Sequence, residues 1–184
     1  METILDATAR ILVEDGYART STNRVAERAG VSIGSLYQYF PSREALVAGV
    51  ARRHSEWLKD ELERALPSTS GLGLKDAVSI LLAAVMSAHR INPELNAVLA
   101  GEVPNLGVLD WKADTTERGI AVAQGLLEAH VREVRPGLDV NSAAFLISTV
   151  VEAAVNAAWR QRPQSIPDGS LERELTSLVY RYVT

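Results

Sequence analysis

The sequence predicts an all-α protein. Almost every segment repeats its apolar residues with the 3.6-residue period of a helix, and no run of alternating β-branched residues indicates a strand. Proline, glycine or asparagine marks most of the breaks between these segments. With 184 residues and 47% hydrophobic content, the chain is long enough to bury a substantial core. We therefore expect either one large helical domain or a small helical domain attached to a larger one.

Four helices are predicted before residue 67, three short and one long. Capping residues or helix breakers delimit each of them. The residues in these roles are Gly16, Ser21 or Thr22, Gly30, Ser32 and Ser42. Gly16 is expected to adopt the left-handed conformation that ends many helices. The fourth helix is predicted at about residues 42–66.

Longer and more apolar helices are predicted after a linker-like stretch at residues 67–71. This stretch, Pro-Ser-Thr-Ser-Gly, is the clearest shift of composition in the chain. The five predicted helices cover about residues 74–91, 93–101, 106–134, 140–162 and 170–183. The chain thus divides into a compact N-terminal part and a larger C-terminal part.

Residues 21–40, STNRVAERAGVSIGSLYQYF, have the layout of a helix-turn-helix. Ala26 and Ala29 are small enough to let two helices cross closely. The residues predicted to share one small core are Val25, Val31, Leu36 and Phe40. The residues left to face outward include no carboxylate; they are Ile33, Gly34, Ser35, Tyr37, Gln38 and Tyr39. A surface without acidic groups is compatible with the phosphates of DNA.

Charge is distributed unevenly along the chain. The net charge of −4 disfavours a generally basic nucleic-acid binder. Between Gly16 and Arg53, however, there are six arginines and only two glutamates, so the rest of the chain is acidic. This asymmetry predicts one electropositive face on an otherwise acidic molecule.

The sequence predicts a cytoplasmic protein with no membrane partner. It contains no cysteine, which fits a reducing compartment and leaves neither a disulfide framework nor a thiolate metal site. The N-terminus lacks the basic flank and continuous apolar run of a signal peptide. The longest apolar runs are too short for a membrane span or are interrupted by Glu152 and Asn156.

The helix-turn-helix and the residues after it resemble the TetR family of bacterial one-component regulators. The matching residues are Thr22, Val25, Ala26, Ala29, Gly30, Val31, Ser32, Gly34, Leu36, Tyr37, Tyr39, Phe40, Arg43, Glu44 and Leu46. The resemblance implies a DNA-binding domain at residues 1–46 and a helical effector-binding and dimerisation domain at residues 47–184. The long helix at about residues 42–66 is shared between them. The chain departs from the family pattern in its short N-terminal lead and in carrying Asn23 after the capping threonine.

The predicted DNA contacts divide into phosphate contacts and base contacts. The DNA-binding residues that we predict are Thr22, Asn23, Ser32, Ile33, Gly34, Ser35, Tyr37, Gln38, Tyr39 and Arg43. Hydroxyls and the arginine are expected to hold phosphates, whereas Ile33, Ser35 and Gln38 are expected to meet base edges, and Asn23 is able to pair with adenine. The alternative is that the aromatic residues belong to the core of a helical bundle, which we accept for Phe40.

The resemblance also implies a small-molecule effector pocket and a homodimer formed through the last two helices. The predicted ligand-binding residues are Met86, His89, Leu99, Glu102, Trp111, Thr115, Glu152 and Asn156, with Trp159 as a further candidate. Each of these side chains has an ordinary alternative role in a helix cap, the core or the interface. Glu152 and Asn156 lie one turn apart in an apolar helix and need polar partners when buried. A ligand, a hydrogen bond across the dimer or water would each satisfy them.

These features predict a sequence-specific DNA-binding transcriptional regulator, a repressor released from a palindromic operator by a small-molecule effector. An enzyme is the first alternative, but the three histidines are scattered and no catalytic or metal-ligand constellation is apparent, so no cofactor or metal is predicted. His130 and Glu133 match a helical metal-ligand pair only weakly, because a partner motif is absent. A helical dimer that binds proteins instead of DNA is the second alternative.

Overall fold

The computed structural model describes the backbone of residues 1–102 and 110–184, and the side chains of residues 1–90, 92–101 and 116–184. All regular structure in these residues is helical, so the prediction of an all-α protein is confirmed. The α-helices are α1 (Glu2–Asp15), α2 (Thr22–Ala29), α3 (Ile33–Tyr39), α4 (Arg43–Ala65), α5 (Leu74–Ile91), α6 (Pro93–Glu102), α7 (Asp110–Ala129), α8 (Val140–Gln161) and α9 (Ser170–Val183). Short 3₁₀ turns lie at Tyr17–Arg19, Leu66–Thr69 and Pro163–Ser165.

The two helices of the helix-turn-helix begin and end at the predicted residues. The Ser21 hydroxyl accepts a hydrogen bond from the Arg24 amide at 3.4 Å, and the Ser32 hydroxyl accepts one from the Ser35 amide at 3.1 Å. Each bond satisfies an amide that has no partner within the helix. Gly30 ends α2 in the left-handed region, with φ 67° and ψ 30°. The local sequence thus sets the boundaries of this motif.

The prediction for Gly16 is only partly correct. Its φ is positive at 75°, which favours glycine, but its ψ of 174° lies outside the left-handed helical region. The chain therefore leaves α1 in an extended conformation and enters the 3₁₀ turn Tyr17–Arg19, in place of a left-handed cap. This path ends at Thr20, whose buried hydroxyl donates to the Gly16 carbonyl at 3.0 Å.

The helix predicted at about residues 106–134 ends earlier than expected, at Ala129. The Arg135 amide donates to the carbonyl of Val183 at 2.8 Å, so it is committed to the end of α9 instead of a continuing helix. The Arg135 side chain also donates to the Tyr182 carbonyl at 3.2 Å. These bonds hold the chain beyond α7 against the end of α9. The predicted start of this helix, at residues 106–109, lies outside the described residues.

The N-terminal compact unit contains residues 1–55 together with α6. Its core is formed by Ile4, Leu5, Ala7, Ile11, Leu12, Val25, Ala26, Leu36, Phe40, Leu46, Val47, Val50, Ala51, Leu95 and Leu99. The predicted core residues Val25, Leu36 and Phe40 are buried, and Val31 packs half-buried against them. Leu95 and Leu99 come from α6, which the sequence did not assign to this unit. The predicted domain boundary after residue 46 stays a prediction.

The C-terminal compact unit contains residues 56–91 and 112–184. In it α5 packs along α9, and Arg90 of α5 pairs with Glu172 of α9 at 3.0 Å. Helices α7 and α8 approach closely, because a Cβ atom on Gly119 would lie 2.5 Å from the Ser148 hydroxyl oxygen. One turn earlier, the Thr116 hydroxyl donates to Glu152 at 3.1 Å. The two helices are therefore antiparallel neighbours.

Candidate DNA-binding surface and effector site

The outer face of α3 is the candidate DNA-binding surface. Ile33, Tyr37 and Tyr39 expose 39%, 49% and 57% of their surface, and Gly34, Ser35 and Gln38 are also exposed. Leu36 is fully buried and Phe40 is 8% exposed. The predicted division of this segment into an outward and a buried face is confirmed, while the DNA contacts themselves stay predictions.

Two serines share a hydrogen bond in the first turn of α3. The hydroxyl oxygens of Ser32 and Ser35 are 2.8 Å apart, and the Ser32 oxygen also accepts from the Ser35 amide. Because Ser32 already caps the helix, its hydroxyl is oriented before any ligand arrives. The Ser35 hydroxyl is exposed and lies beside Gly34, where no side chain covers the backbone. This turn therefore presents small polar groups to solvent.

The structure brings together two predicted phosphate-binding residues that are distant in sequence. The hydroxyl of Thr22, in the first turn of α2, lies 3.2 Å from the hydroxyl of Tyr37 in α3. Either group is able to donate in this pair, so one hydroxyl hydrogen remains available to an anion. Asn23 is exposed next to Thr22. The start of α2 and the outer face of α3 thus meet at one edge.

Two arginines of α2 are paired with carboxylates at the end of α1. Arg24 contacts Asp15 at 2.6 Å and also donates to the Arg19 carbonyl at 2.8 Å. Arg28 makes a bidentate salt bridge with Glu14, with hydrogen bonds of 2.6 and 2.5 Å. The hydrogen bond from Arg28 lowers the pKa of Glu14. These pairs link α2 to the end of α1, and because they are exposed to solvent they add little to stability.

The predicted electropositive face is smaller than the arginine count suggested. Arg53 pairs with Glu2 at 3.0 Å and with Asp6 at 2.8 Å, so a third counted arginine is also engaged. All these carboxylates lie before Gly16, outside the stretch in which the arginines were counted. Through residue 53 the chain holds seven arginines and six carboxylates, an excess of one positive charge. The arginine count overestimated the positive charge because it left out the carboxylates of α1, which pair with these arginines.

Arg43 lies at the start of α4 in a cluster with Tyr17 and Glu44. Its guanidinium carbon is 4.1 Å from the centre of the Tyr17 ring. The Tyr17 hydroxyl donates to Glu44 Oε1 at 2.9 Å, and Arg43 approaches the same oxygen at 3.4 Å. The backbone amide of Glu44, the Tyr17 hydroxyl and the Ser42 hydroxyl lower the pKa of Glu44 to about 2. Sequence reasoning gave Tyr17 no role, although Gly16-Tyr17 precedes the capped helix.

The predicted effector residues are distributed over both compact units. Leu99 lies in the core of the N-terminal unit, whereas Met86 is fully buried in the C-terminal unit. His89 Nδ1 is 2.8 Å from the Val85 carbonyl, and burial lowers the pKa of this histidine. The predicted side chains of Glu102, Trp111 and Thr115 lie outside the described residues.

Helix α8 carries a row of polar atoms on one face. Glu152, Asn156 and Trp159 are spaced four and three residues apart, so they share that face. Glu152 is half-buried and accepts from Thr116, and Asn156 is also half-buried. Trp159 is 8% exposed, and its indole Nε1 has no hydrogen-bond partner within the described part of the chain. A buried donor of this kind requires an explanation, because most buried polar atoms are paired.

Helix α8 and part of α9 also expose large apolar side chains. They are Phe145, Leu146, Val150 and Leu178. An 18-residue window of α8 has mean hydropathy 1.4 and is 28% buried, so its length and composition alone would also suit a membrane span. No group of three or more potential metal ligands occurs among the residues described. The single chain leaves these apolar side chains exposed to solvent.

Two family models match the chain. Residues 4–50 match bacterial regulatory proteins of the tetR family, and residues 73–182 match the tetracyclin repressor-like C-terminal domain. The second match alone spans more than half of the chain, and most of α4 lies between the two matches.

Individual relatives agree with this assignment. The HTH-type transcriptional repressor KstR of Mycolicibacterium smegmatis is 32% identical over 117 residues, covering 58% of this chain and 56% of that protein. This chain thus matches only about half the length of that relative. The KstR of Rhodococcus jostii is 28% identical, covering 94% of this chain and 78% of that protein.

A solved structure supports the fold. FadR from Bacillus subtilis in complex with stearoyl-CoA superposes with a TM-score of 0.76 at 19% identity, covering 100% of this chain and 99% of that one. The HTH-type surface on α2 and α3, the family models and these relatives agree: the chain belongs to the tetR family of bacterial regulatory proteins and is a DNA-binding transcriptional regulator.

Proposed function

We propose that this regulator is a repressor that binds a palindromic operator as a homodimer and is released by a small-molecule effector. The observation that carries the proposal is the outer face of α3, which exposes Ile33, Ser35, Tyr37 and Gln38 without any carboxylate. Such a face fits the major groove of DNA, where an α-helix enters and reads base edges. Cytoplasmic location and the absence of catalysis belong to the same proposal.

Phosphate contacts are assigned to the groups around this face. Thr22 and Tyr37 offer a pair of hydroxyls 3.2 Å apart, and Arg43 offers a charge at the start of α4. Ser32 and Tyr39 complete the rim of the same surface. These contacts set the register of the protein on the duplex but carry no sequence information.

Base contacts are assigned to the first turns of α3. Gly34 lets the backbone approach the groove floor, with Ile33 against thymine methyl groups and Ser35 and Gln38 against polar base edges. The order of these residues predicts that Gln38→Ala changes base preference at one position of each half-site. Tyr37→Phe is the matched variant, and we expect it to weaken binding to all sequences similarly.

The dimer is proposed to form through α8 and α9. Phe145, Leu146, Val150 and Leu178 leave apolar surface exposed in the single chain, and a second copy of the same face would cover it. An isologous dimer places two equivalent recognition helices on a palindrome, with half-sites about 34 Å apart. This assignment explains the apolar surface of α8 without a membrane.

The effector is proposed to bind in the C-terminal unit beside the polar face of α8. Polar atoms on this largely apolar helix come from Glu152, Asn156 and the Trp159 indole, which has no hydrogen-bond partner in the described part of the chain. FadR from Bacillus subtilis binds stearoyl-CoA, so the fold accommodates an amphipathic ligand with a carbonyl oxygen. We propose a ligand of the same kind here, with an apolar body and an acceptor oxygen for Trp159.

Release is proposed to involve α4, which belongs to both compact units, with residues 43–55 in one and 56–65 in the other. A ligand that favours a different orientation of α4 would spoil the spacing of the recognition helices. The required difference in affinity between the two states corresponds to about 1–3 kcal/mol. A compound that binds the protein but leaves operator affinity unchanged would refute this mechanism.

The decisive experiment is recovery of duplexes from random-sequence DNA by the purified protein. A repressor of this kind enriches a palindrome, and its affinity falls steeply with salt because counterions are released from the phosphates. A helical protein-interaction module would enrich no sequence. Titration of the bound palindrome with stearoyl-CoA then tests the effector class.

A further inference from the structure

Arg43 occupies a prepared position at the start of α4. Its guanidinium carbon lies 4.1 Å from the centre of the Tyr17 ring, although the two residues are far apart in sequence. Nε and one terminal nitrogen, Nη2, approach Glu44 Oε1 at 3.4 Å. The other terminal nitrogen, Nη1, takes no part in these two bonds to the Glu44 carboxylate. About a third of the side chain remains exposed, at 36%.

Tyr17 contacts both Arg43 and Glu44. Its ring faces the guanidinium, and its hydroxyl donates to the Glu44 carboxylate at 2.9 Å. Because Glu44 remains ionised, it holds two of the three guanidinium nitrogens on the inner side. The aromatic face then restricts rotation of a long side chain that otherwise samples many rotamers.

We propose that Tyr17 is a positioning residue, which orients Arg43 so that Nη1 meets a DNA phosphate. Tyr17 itself makes no contact with DNA in this arrangement. The inference rests on the proposed function, in which Arg43 contacts the backbone of the operator. It adds a residue that precedes the helix-turn-helix to the set that determines DNA affinity.

The competing explanation is that Tyr17 only supports the domain core, against which its ring also packs. If Tyr17 is only structural, replacing it lowers DNA affinity whether or not Arg43 is present. If Tyr17 positions Arg43, replacing it lowers DNA affinity only when Arg43 is present. The interaction of a cation with an exposed aromatic ring corresponds to about a two- to fivefold change in affinity for each half-site. On a palindrome bound by two copies, the change is about 5- to 30-fold.

The test is a double-mutant cycle with Tyr17→Leu and Arg43→Gln, measured on the palindrome recovered by selection. Arg43→Gln removes the phosphate contact, so the slope of log affinity against log salt becomes shallower by about 0.9 for each half-site. Tyr17→Leu is expected to lower affinity about 5- to 30-fold in the wild-type background, and by less than about twofold beside Arg43→Gln. Tyr17→Phe keeps the ring and is expected to retain most of the affinity.

A second measurement needs no DNA. The Arg43 Nε–Hε resonance, assigned by its loss in Arg43→Gln, is expected to exchange slowly in the wild type and in Tyr17→Phe. In Tyr17→Leu it is expected to exchange faster, because the guanidinium is no longer held. An unchanged resonance in Tyr17→Leu would overturn the inference.

The outcomes distinguish failure of the proposed DNA-binding function from failure of the positioning role of Tyr17. If the wild-type protein selects no duplex, the proposed function is wrong and Tyr17 has no DNA role. If the wild type binds its palindrome but Tyr17→Leu costs the same affinity in both backgrounds, only the positioning role is wrong. If the loss disappears beside Arg43→Gln, Tyr17 acts through Arg43.

Discussion

Gly49→Ala is expected to destabilise the N-terminal unit, even though alanine is the better helix former. A Cβ atom at this position in α4 would lie 2.8 Å from Phe40 Cε1 and 2.9 Å from Leu5 Cδ2. Carbon atoms pack best at about 3.5–4.0 Å, so both neighbours would have to move. Phe40 directly follows α3, and its displacement would therefore disturb the recognition helix as well.

The magnitude follows from two opposing effects. Overpacking a tight core costs about 1–3 kcal/mol, while replacing glycine with alanine inside a helix gains about 0.5–1 kcal/mol. The expected net loss in the free energy of unfolding is about 1–2 kcal/mol. Gly125 provides the matched control, because it lies inside α7 and a Cβ atom there meets nothing within 4 Å. Gly125→Ala should therefore stabilise the protein by about 0.5–1 kcal/mol.

Urea unfolding followed by circular dichroism measures both variants, and operator binding is then measured on the folded proteins. We expect Gly49→Ala to lower the midpoint and weaken DNA binding, and Gly125→Ala to raise the midpoint without affecting DNA. An equal gain in stability for the two variants would show that the α4 contact with Phe40 and Leu5 is not tight, and the reasoning would fail.

Three further predictions concern the titration of Glu44, the dimer and the effector site. The pKa of Glu44 is about 2 in the folded protein against 4.5 ordinarily, so its contribution to stability is complete above about pH 4.5 and is lost as the pH falls towards 2; acid unfolding of Glu44→Gln should lack this component, and identical acid profiles would contradict it. Leu178→Asp, on the exposed apolar face, should shift sedimentation towards the monomer and weaken operator binding, whereas the same change at exposed Glu174 should do neither. Trp159→Phe removes the buried donor while keeping an aromatic ring, so stearoyl-CoA should release the operator less effectively although basal DNA binding is unchanged; equal release in both proteins would exclude the indole as a ligand contact.

The local sequence was sufficient to predict the helix-turn-helix. Ser21 and Ser32 cap their helices, and Gly30 ends α2, because each effect depends on side-chain and backbone chemistry within a few residues. The exposure of Tyr37 and the burial of Leu36 followed from helical periodicity for the same reason. The all-α fold rests on the same local rules.

Contacts between distant residues were not predictable in this way. The pairing of Arg53 with Glu2 and the stacking of Arg43 on Tyr17 join residues 51 and 26 positions apart, and nothing in either local segment signals its partner. The burial of Leu99 was not predictable either. It packs in the N-terminal core through α6, and its predicted role in the effector pocket stays a prediction.

The local sequence therefore determines the helix caps, the helical periodicity and the carboxylate-free face of α3. The family motif identifies that face as a DNA-binding surface. Packing determines which arginines remain unpaired, to which compact unit α6 belongs, and that the Trp159 donor is buried with no hydrogen-bond partner among the described residues. The physical reason is the separation along the sequence of the residues that interact. Hydrogen bonds within one helical turn depend on neighbouring residues, whereas ion pairs and core contacts depend on which helices meet after folding.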